Sequence, residues 1–216
     1  MLEWLTEYGE VLSTLSSLGM LVIWILYLQL FFQMYRKQRR PHLLIHQAGG
    51  FDLHSRCVIA NMSETAVHVA AVMVDVEREG QCQTFQPRPD WDRDEHGPLA
   101  DTRQGPLPTA AYIDVGSFAA LLDAADGSHR PDDATDADVV VRVVAFVGSE
   151  LYPTGAQRRF AVRGSRGDAS VKPESAIPQQ FSSGRQRRIA RRWLLEAQDL
   201  DADARATPTV THDGDG

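Results

Sequence analysis

The densest group of potential metal ligands in the chain is the acidic stretch Asp90–Asp101, with the sequence DWDRDEHGPLAD. Aspartates occupy positions 1, 3, 5 and 12 of this loop, and clustered carboxylate oxygens are the ligands that Ca²⁺ prefers. The stretch departs from an EF-hand loop, because Glu95 stands where the sharp turn needs glycine and Asp101 replaces the bidentate glutamate. We therefore interpret it as a solvated acidic loop and keep calcium binding as the alternative.

Three histidines are the second candidate for metal chemistry. His42 and His46 have the same parity on an expected strand, and His54 follows closely in sequence. Imidazole nitrogens bind Zn²⁺, but half-exposed histidines on strands are common without any metal. G-x-S-x-G patterns, P-loops and dinucleotide-binding glycine patterns are missing from the sequence. We therefore predict no catalytic residue, no metal site and no cofactor, and keep an enzyme that uses these histidines or Cys57 as a lesser alternative.

The chemical state of two cysteines and of one potential glycosylation site depends on the compartment that holds the domain. Cys57 and Cys82 are expected to be free thiols in a reducing cytoplasm and become a candidate disulfide after export. The tripeptide Asn61-Met-Ser matches an acceptor for N-linked glycans, which also requires export. Because the charges described below place the domain in the cytoplasm, we predict free thiols.

The strongest local pattern near the C-terminus is Gly184–Leu200, with the sequence GRQRRIARRWLLEAQDL. On a helix, at about 100° per residue, apolar residues fall on one arc and arginines fall on the opposite side. One interpretation docks the apolar arc on the β domain and leaves the arginines in water, and another is a contact with a protein or nucleic acid. The third lays the helix on an anionic membrane surface. It assigns as membrane contacts Arg187, Arg188, Arg191, Arg192 and Trp193.

The segment Val11–Phe32 contains no charged residue. As a helix it would extend roughly 33 Å, close to the ~30 Å hydrocarbon core of a bilayer. A buried helix of a soluble protein is rarely apolar on every face over this length. A cleaved signal peptide needs basic residues before the apolar run, and here they follow it. We therefore predict a transmembrane helix over residues 11–35.

The charges on either side of this run predict its orientation. Residues 1–10 contain three glutamates and no Lys or Arg. The segment 36–41 carries four basic residues, which are Arg36, Lys37, Arg39 and Arg40. The positive-inside rule keeps that segment in the cytoplasm, next to anionic headgroups, and puts residues 1–10 outside. We predict a single-pass protein of the inner (plasma) membrane, with the lipid bilayer as its first partner.

Small residues in the outer half of the apolar run suggest a second partner. Ser13 and Ser17 are four positions apart and would share one face of the helix. Small residues at this spacing let two helices approach closely. They are the predicted contact of a homo-oligomer, although serine is also tolerated in such helices by bonding to its own backbone.

After Pro41 the period changes to that of strands, with about seven short runs separated by turn signals. The run Val139–Val147 is apolar on both faces except for Arg142, which predicts a central strand covered on both sides. The predicted fold is mainly β: an N-terminal transmembrane α-helix, an antiparallel β-sandwich (Ig-like in architecture) or small barrel, and a C-terminal amphipathic helix. The predicted boundaries are a β domain at 42–165, a linker at 166–182, the basic helix at 183–203 and a disordered tail at 204–216.

The net charge of the chain limits the classes of partner that it can bind. The whole chain has a net charge of −7, and the residues after Pro41 contain 18 Arg and Lys against 26 Asp and Glu. Such a domain repels phosphate backbones, which makes nucleic acid a poor partner. We predict a membrane-anchored interaction or scaffold module with an unknown protein partner. The alternative is a membrane-anchored ligand sensor or effector that acts through oligomerisation of its transmembrane helix.

Overall fold

The computed structural model describes residues 9–38, 42–87, 104–126, 136–148, 152–165 and 167–206. The chain divides into two compact units, Met1–Arg40 and Pro41–Gly216. The described part of the first unit is one helix, α1 (Gly9–Gln38). Its segment Val11–Met34 has a mean hydropathy of 2.0, and by length and composition it could cross a membrane. The large apolar side chains of this segment are between 50% and 68% exposed, so no described residue of the unit buries them.

The second unit contains two antiparallel sheets. The small sheet has the strand order β1-β2-β6, formed by β1 (Leu43–Ala48), β2 (Arg56–Asn61) and β6 (Tyr112–Ser117). The large sheet has the order β10-β8-β7-β3-β4, with β5 on β3 and β9 on β8. Its strands are β3 (Val67–Arg78), β4 (Gln81–Phe85), β5 (Gly105–Leu107), β7 (Ala137–Val147), β8 (Thr154–Arg163), β9 (Ser170–Pro173) and β10 (Gln179–Phe181). Helices α2 (Phe118–Asp126) and α3 (Gly184–Ala206) complete the described part of the unit.

The large sheet is covered on both faces, as the apolar pattern of β7 predicts. Val139, Val141 and Val143 belong to the main core, which the small sheet and α2 complete. Val144 points to the other face, where it forms a second core with residues of α3. Because strand side chains alternate between the faces of a sheet, this strand contributes to two layers at once. It lies between β8 and β3, so the prediction of a central strand is confirmed.

Local backbone geometry defines the start of α2 and the turn between β3 and β4. Helix α2 begins at Phe118, and the N–H of Ala120 donates to Oγ of Ser117, the N-cap, at 3.2 Å. Strands β3 and β4 form a hairpin through Glu79 and Gly80, whose φ angles are 49° and 81°. Two positive φ angles in a two-residue loop match the right-handed twist of the strands on either side.

The segment 166–182 is not simply the predicted linker, because it contains β9 and β10. Both strands pair with β8, and each buries an apolar residue, Val171 and Phe181. Three or four residues are too few to show a strand period, so the sequence pattern misses them. Helix α3 extends to Ala206 and takes in the first residues of the predicted tail, whereas residues 207–216 lie outside the described part.

Asn61, at the end of β2, is a completely buried polar junction with 0% of its surface exposed. Its Nδ2 lies 3.0 Å from the carbonyl oxygens of Thr65 and Leu107 and 3.1 Å from that of Pro108. Its Oδ1 accepts the backbone N–H of Ser63 at 2.9 Å. The side chain of the Asn61-Met-Ser pattern is therefore fully engaged inside the fold, and a glycan on its amide nitrogen would be incompatible with these hydrogen bonds.

Candidate anion-binding groove on the C-terminal helix

Helix α3 docks its apolar face on the outer face of the large sheet. Trp193 is 7% exposed and packs edge-on against Phe181, with 4.7 Å between the ring centroids. A Cβ at Gly155 of β8 would lie 3.1 Å from this indole ring, so glycine is needed for the close approach. Trp193, predicted as a membrane contact, is instead occupied by the sheet and offers a membrane little surface while α3 stays docked.

Arg142 of β7 links the sheet to this helix. Its side chain is buried between three partners: it forms an ion pair with Asp75 of β3, donates to both carboxylate oxygens of Glu196 at 2.9 and 3.1 Å, and lies over Trp193. Burial by itself lowers the pKa of Arg142, but the hydrogen bonds and charges of Glu196 and Asp75 outweigh burial and raise it. The guanidinium therefore remains charged and fixes the middle of α3 on the sheet.

The start of α3 is set by a local hydrogen-bond pattern. Gln186 Oε1 accepts the hydroxyl of Ser183 at 2.7 Å and its backbone N–H at 3.3 Å, which is one half of a capping box. The N–H of Arg187 donates to the carbonyl of Ser183 at 2.8 Å. The Nε of Arg187 also donates to the carbonyl of Ser182 at 2.9 Å. These bonds fix where the helix begins, and with it the direction of the arginines that follow.

The charges of α3 are arranged against its own dipole. Its first half carries five arginines, and its second half carries all four of its acidic residues, among them Glu196 and Asp199. A helix is stabilised by the opposite arrangement, with acidic residues at its N-terminus and basic residues at its C-terminus. No ion pair joins Arg185, Arg188, Arg191 or Arg192 to a carboxylate within the described residues. Helix stability therefore does not explain this positive charge.

An open groove of about 480 Å³ lies at the basic end of α3. The residues that line it come from the helix, from the residues just before it and from the segment before β8: Arg187, Arg188, Arg191, Ser182, Gly184, Tyr152 and Pro153. We call it the arginine groove. Guanidinium groups present several N–H donors in a plane and match the oxygens of phosphate or carboxylate, while Tyr152 and Pro153 offer apolar surface. The groove is thus suited to an anion that carries an organic group.

The other predicted contact residues are placed as follows. Arg36 and Lys37 belong to the last turn of α1, and residues 39–41 lie outside the described part, with Arg39 and Arg40 among them. Ser13 and Ser17 are exposed on α1. The lipid and oligomer contacts assigned to these residues remain predictions.

The alternative metal sites gain no support from the described residues. His42, His46 and His54 belong to no group of three His, Cys, Asp or Glu that could hold a metal ion in the described part of the chain. The acidic stretch Asp90–Asp101 lies within residues 88–103, which are outside it. Cys57 is buried and Cys82 exposed, and the two do not form a disulfide with each other.

Cys82 allows a direct test of the local charges. It faces Glu77 across the β3–β4 hairpin, and partial burial, Asp75 and Glu77 together raise the pKa of its thiol. Only the thiolate reacts with maleimide, so Cys82 is expected to react more slowly near neutral pH than an unperturbed thiol. Glu77→Gln should lower the pKa and accelerate labelling by about twofold. Equal acceleration by Glu79→Gln in the hairpin turn would contradict this assignment, and Cys82→Ser should remove the labelling.

Comparison of the chain with protein-family models, with curated proteins and with solved structures finds no match. The function is therefore inferred from the residues described above.

Proposed function

We propose that the protein is a single-pass membrane protein whose β domain lies on the cytoplasmic side and serves as an interaction or scaffold module. The exposure of Val11–Met34 carries this proposal, because every large apolar side chain of that segment is at least half exposed. Leaving such a side chain in water instead of burying it costs roughly 1.5–3 kcal/mol. A lipid bilayer removes that cost along the whole helix, and the helix satisfies its own backbone hydrogen bonds there.

The charge distribution supports the orientation. Four basic residues follow the apolar segment Val11–Met34, namely Arg36, Lys37, Arg39 and Arg40, and residues 1–10 contain none. Positive charge close to a membrane segment is retained in the cytoplasm. In that compartment the arginines of α3 would also be on the side of the membrane whose leaflet is rich in anionic lipid. The bilayer, anionic headgroups and a protein bound by the β domain are the proposed partners.

We also propose that the two sheets form a β-sandwich, Ig-like in the loose architectural sense, rather than a closed barrel. Residues of both sheets contribute to one apolar core, for example Ile45 and Ile59 from the small sheet and Val141 and Phe160 from the large one. No hydrogen-bonded strand pair joins the two sheets within the described residues. Two sheets that share a core but keep their own edges are the arrangement of a sandwich.

A ligand sensor that acts through oligomerisation of α1 is the second candidate. Ser13 and Ser17, four residues apart on the same helix, are both exposed and available for close contact with another copy. In this alternative, cysteines substituted for the two serines would form disulfide-linked dimers in membranes. The interaction module does not require such dimers.

The anchor is tested by extraction. The full chain is expected to stay in the membrane fraction after an alkaline carbonate wash, and a variant lacking residues 11–34 should move to the aqueous fraction. The intact mass separates an anchor from a cleaved signal sequence, because cleavage would remove the N-terminal residues. Recovery of the full chain in the aqueous fraction would overturn the proposal.

The orientation is tested with the native thiol. A membrane-impermeant maleimide should label Cys82 only after the cells are lysed, while the buried Cys57 stays unlabelled. Changing the four basic residues of 36–41 to glutamine should weaken the retention signal and make Cys82 reactive from outside in a fraction of the molecules. Labelling of the unchanged protein in sealed cells would show that the orientation is reversed.

A further inference from the structure

We propose that the arginine groove binds a phosphate monoester. This inference deepens the proposed function, since an anchored protein would meet such groups on lipid headgroups, but the binding chemistry does not depend on the anchor. A phosphate monoester carries a charge of about −1.5 to −2 at neutral pH and three acceptor oxygens. That charge matches the guanidinium groups of Arg188 and Arg191 better than a single carboxylate does.

Repulsion within α3 supports the site. Arg188 and Arg191 are three residues apart and Arg187 and Arg191 are four apart, so the three side chains are neighbours on the helix surface. Like charges at these spacings destabilise a helix. The nearby Glu196 does not relieve the repulsion, because both of its carboxylate oxygens are bound to Arg142. A bound dianion would neutralise the group.

Part of the groove is already rigid before any ligand binds. Arg187 is held by its Nε bond to the carbonyl of Ser182, and Ala190, three residues further along the helix, is buried against Gly155 of the sheet. Arg188 and Arg191 are exposed and free of ion pairs within the described residues, so binding need not break an existing contact. The cost of ordering the site is therefore confined to two side chains.

The size of the groove favours a ligand larger than inorganic phosphate. Its volume of about 480 Å³ falls in the range of roughly 300–1,000 Å³ that is typical of small-molecule sites. Tyr152 is 64% exposed and, with Pro153, lines the groove beside the arginines. Apolar surface next to a cationic group suits the glycerol or sugar that carries a phosphate.

The test uses the full chain in neutral detergent, with inorganic phosphate and glycerol 3-phosphate as probes in isothermal titration. The variant Arg188→Gln/Arg191→Gln is compared with Arg185→Gln/Arg192→Gln, which removes the same charge from the same helix outside the groove. The groove variant should bind glycerol 3-phosphate at least about tenfold more weakly, whereas the matched variant should change by less than about twofold. Tyr152→Ala should weaken glycerol 3-phosphate more than inorganic phosphate.

A second arm identifies the source of the phosphate. The full chain in nanodiscs is compared at equal molar content of phosphatidic acid and phosphatidylglycerol, a monoester and a diester. A preference for phosphatidic acid that Arg188→Gln/Arg191→Gln removes supports a lipid headgroup. Binding of glycerol 3-phosphate without that preference supports a soluble phosphate monoester.

Three results would overturn the proposal that the arginine groove binds a phosphate monoester. They are no binding in either arm, equal losses of affinity in the two double variants, or equal affinity for both lipids without binding of the soluble probes. All four arginines lack ion pairs in the described part of the chain, and their removal relieves repulsion, so neither double variant should have a lower melting temperature than the unchanged chain. A thermal melt of the same samples therefore detects any misfolding. The detergent arm is independent of the anchor. If the carbonate test disproved the membrane anchor, the titration in detergent would still report whether the groove binds phosphate. Failure of the anchor and failure of the groove are therefore distinguishable.

Discussion

Replacing Asn61 with alanine should lower the free energy of unfolding of the β domain by about 3 kcal/mol, because a buried group left without its hydrogen bond costs roughly 1–3 kcal/mol. The substitution leaves the buried carbonyl of Leu107 and the N–H of Ser63 without their side-chain partner. The carbonyl of Thr65 lies in a partly buried bond, so water can replace some of that loss.

The isosteric change Asn61→Asp is expected to be at least as harmful. It keeps the size of the side chain but points a carboxylate oxygen at the carbonyl oxygens that now receive N–H groups. Two acceptors at about 3 Å repel each other, and burial adds the cost of removing a charge from water. Protonation of the new carboxyl would relieve both effects, so this variant should regain stability as the pH falls.

Urea unfolding of the full chain in detergent measures both changes. The matched control is Gln179→Ala, which removes a side-chain amide from an exposed bond to Gln157 and should cost less than about 0.5 kcal/mol. If the free energy of unfolding of Asn61→Ala were within about 1 kcal/mol of that of the unchanged chain, the hydrogen bonds of Asn61 would not be needed for the stability of the domain.

Asn61 also shows why sequence patterns predict only part of this fold. The sequence Asn61-Met-Ser-Glu-Thr is typical of a turn, whereas the partners of Asn61, Leu107 and Pro108, lie 46 and 47 residues further along the chain. A polar residue in a turn and a polar residue in a junction look alike in sequence. What the patterns do predict is local: the uncharged run of α1 and the two-sided apolar strand β7.

The arginine groove was predictable only in part for the same reason. Helical periodicity places the arginines of α3 on one face, but it does not say what covers the opposite face. The large sheet covers it and buries Trp193, whereas the sequence pattern equally allows a membrane. Tyr152 and Pro153 precede α3 by more than thirty residues, and the strands between them bring these residues to the groove. No spacing rule in the sequence connects them.

Arg142→Met is expected to produce the second large effect, a loss of about 3 kcal/mol in unfolding free energy, because removing one partner of a buried ion pair leaves the other charge without compensation. Asp75 is the residue left behind, with 17% of its side chain exposed and only the hydroxyl of Thr84 as a remaining side-chain partner among the described residues. Methionine keeps an apolar stem against Trp193, so the loss measures the charge more than the packing.

The two carboxylate partners of Arg142 should not contribute equally to the free energy of unfolding. Glu196 has 39% of its side chain exposed, and water can solvate Arg142 on that side, so Glu196→Gln should cost less than about 1 kcal/mol. Adding Asp75→Asn to Arg142→Met removes the stranded charge and should recover part of the loss. An Arg142→Met protein as stable as the unchanged chain would mean that the ion pair contributes nothing net, as replacement of buried pairs by apolar residues sometimes shows.

The substitution Arg142→Met also tests whether Arg142 keeps α3 docked on the large sheet. Because Arg142 helps to hold α3 on the sheet, its loss should raise the fraction of molecules in which the helix is undocked, and trypsin should cleave faster between Arg187 and Arg192. The groove needs Tyr152 beside those arginines, so binding of glycerol 3-phosphate should weaken although no residue lining the groove has changed. A helix released in this way exposes Trp193 together with its arginines, which is the surface that binds anionic bilayers. Arg142→Met should therefore bind anionic vesicles more strongly while it binds soluble phosphate more weakly.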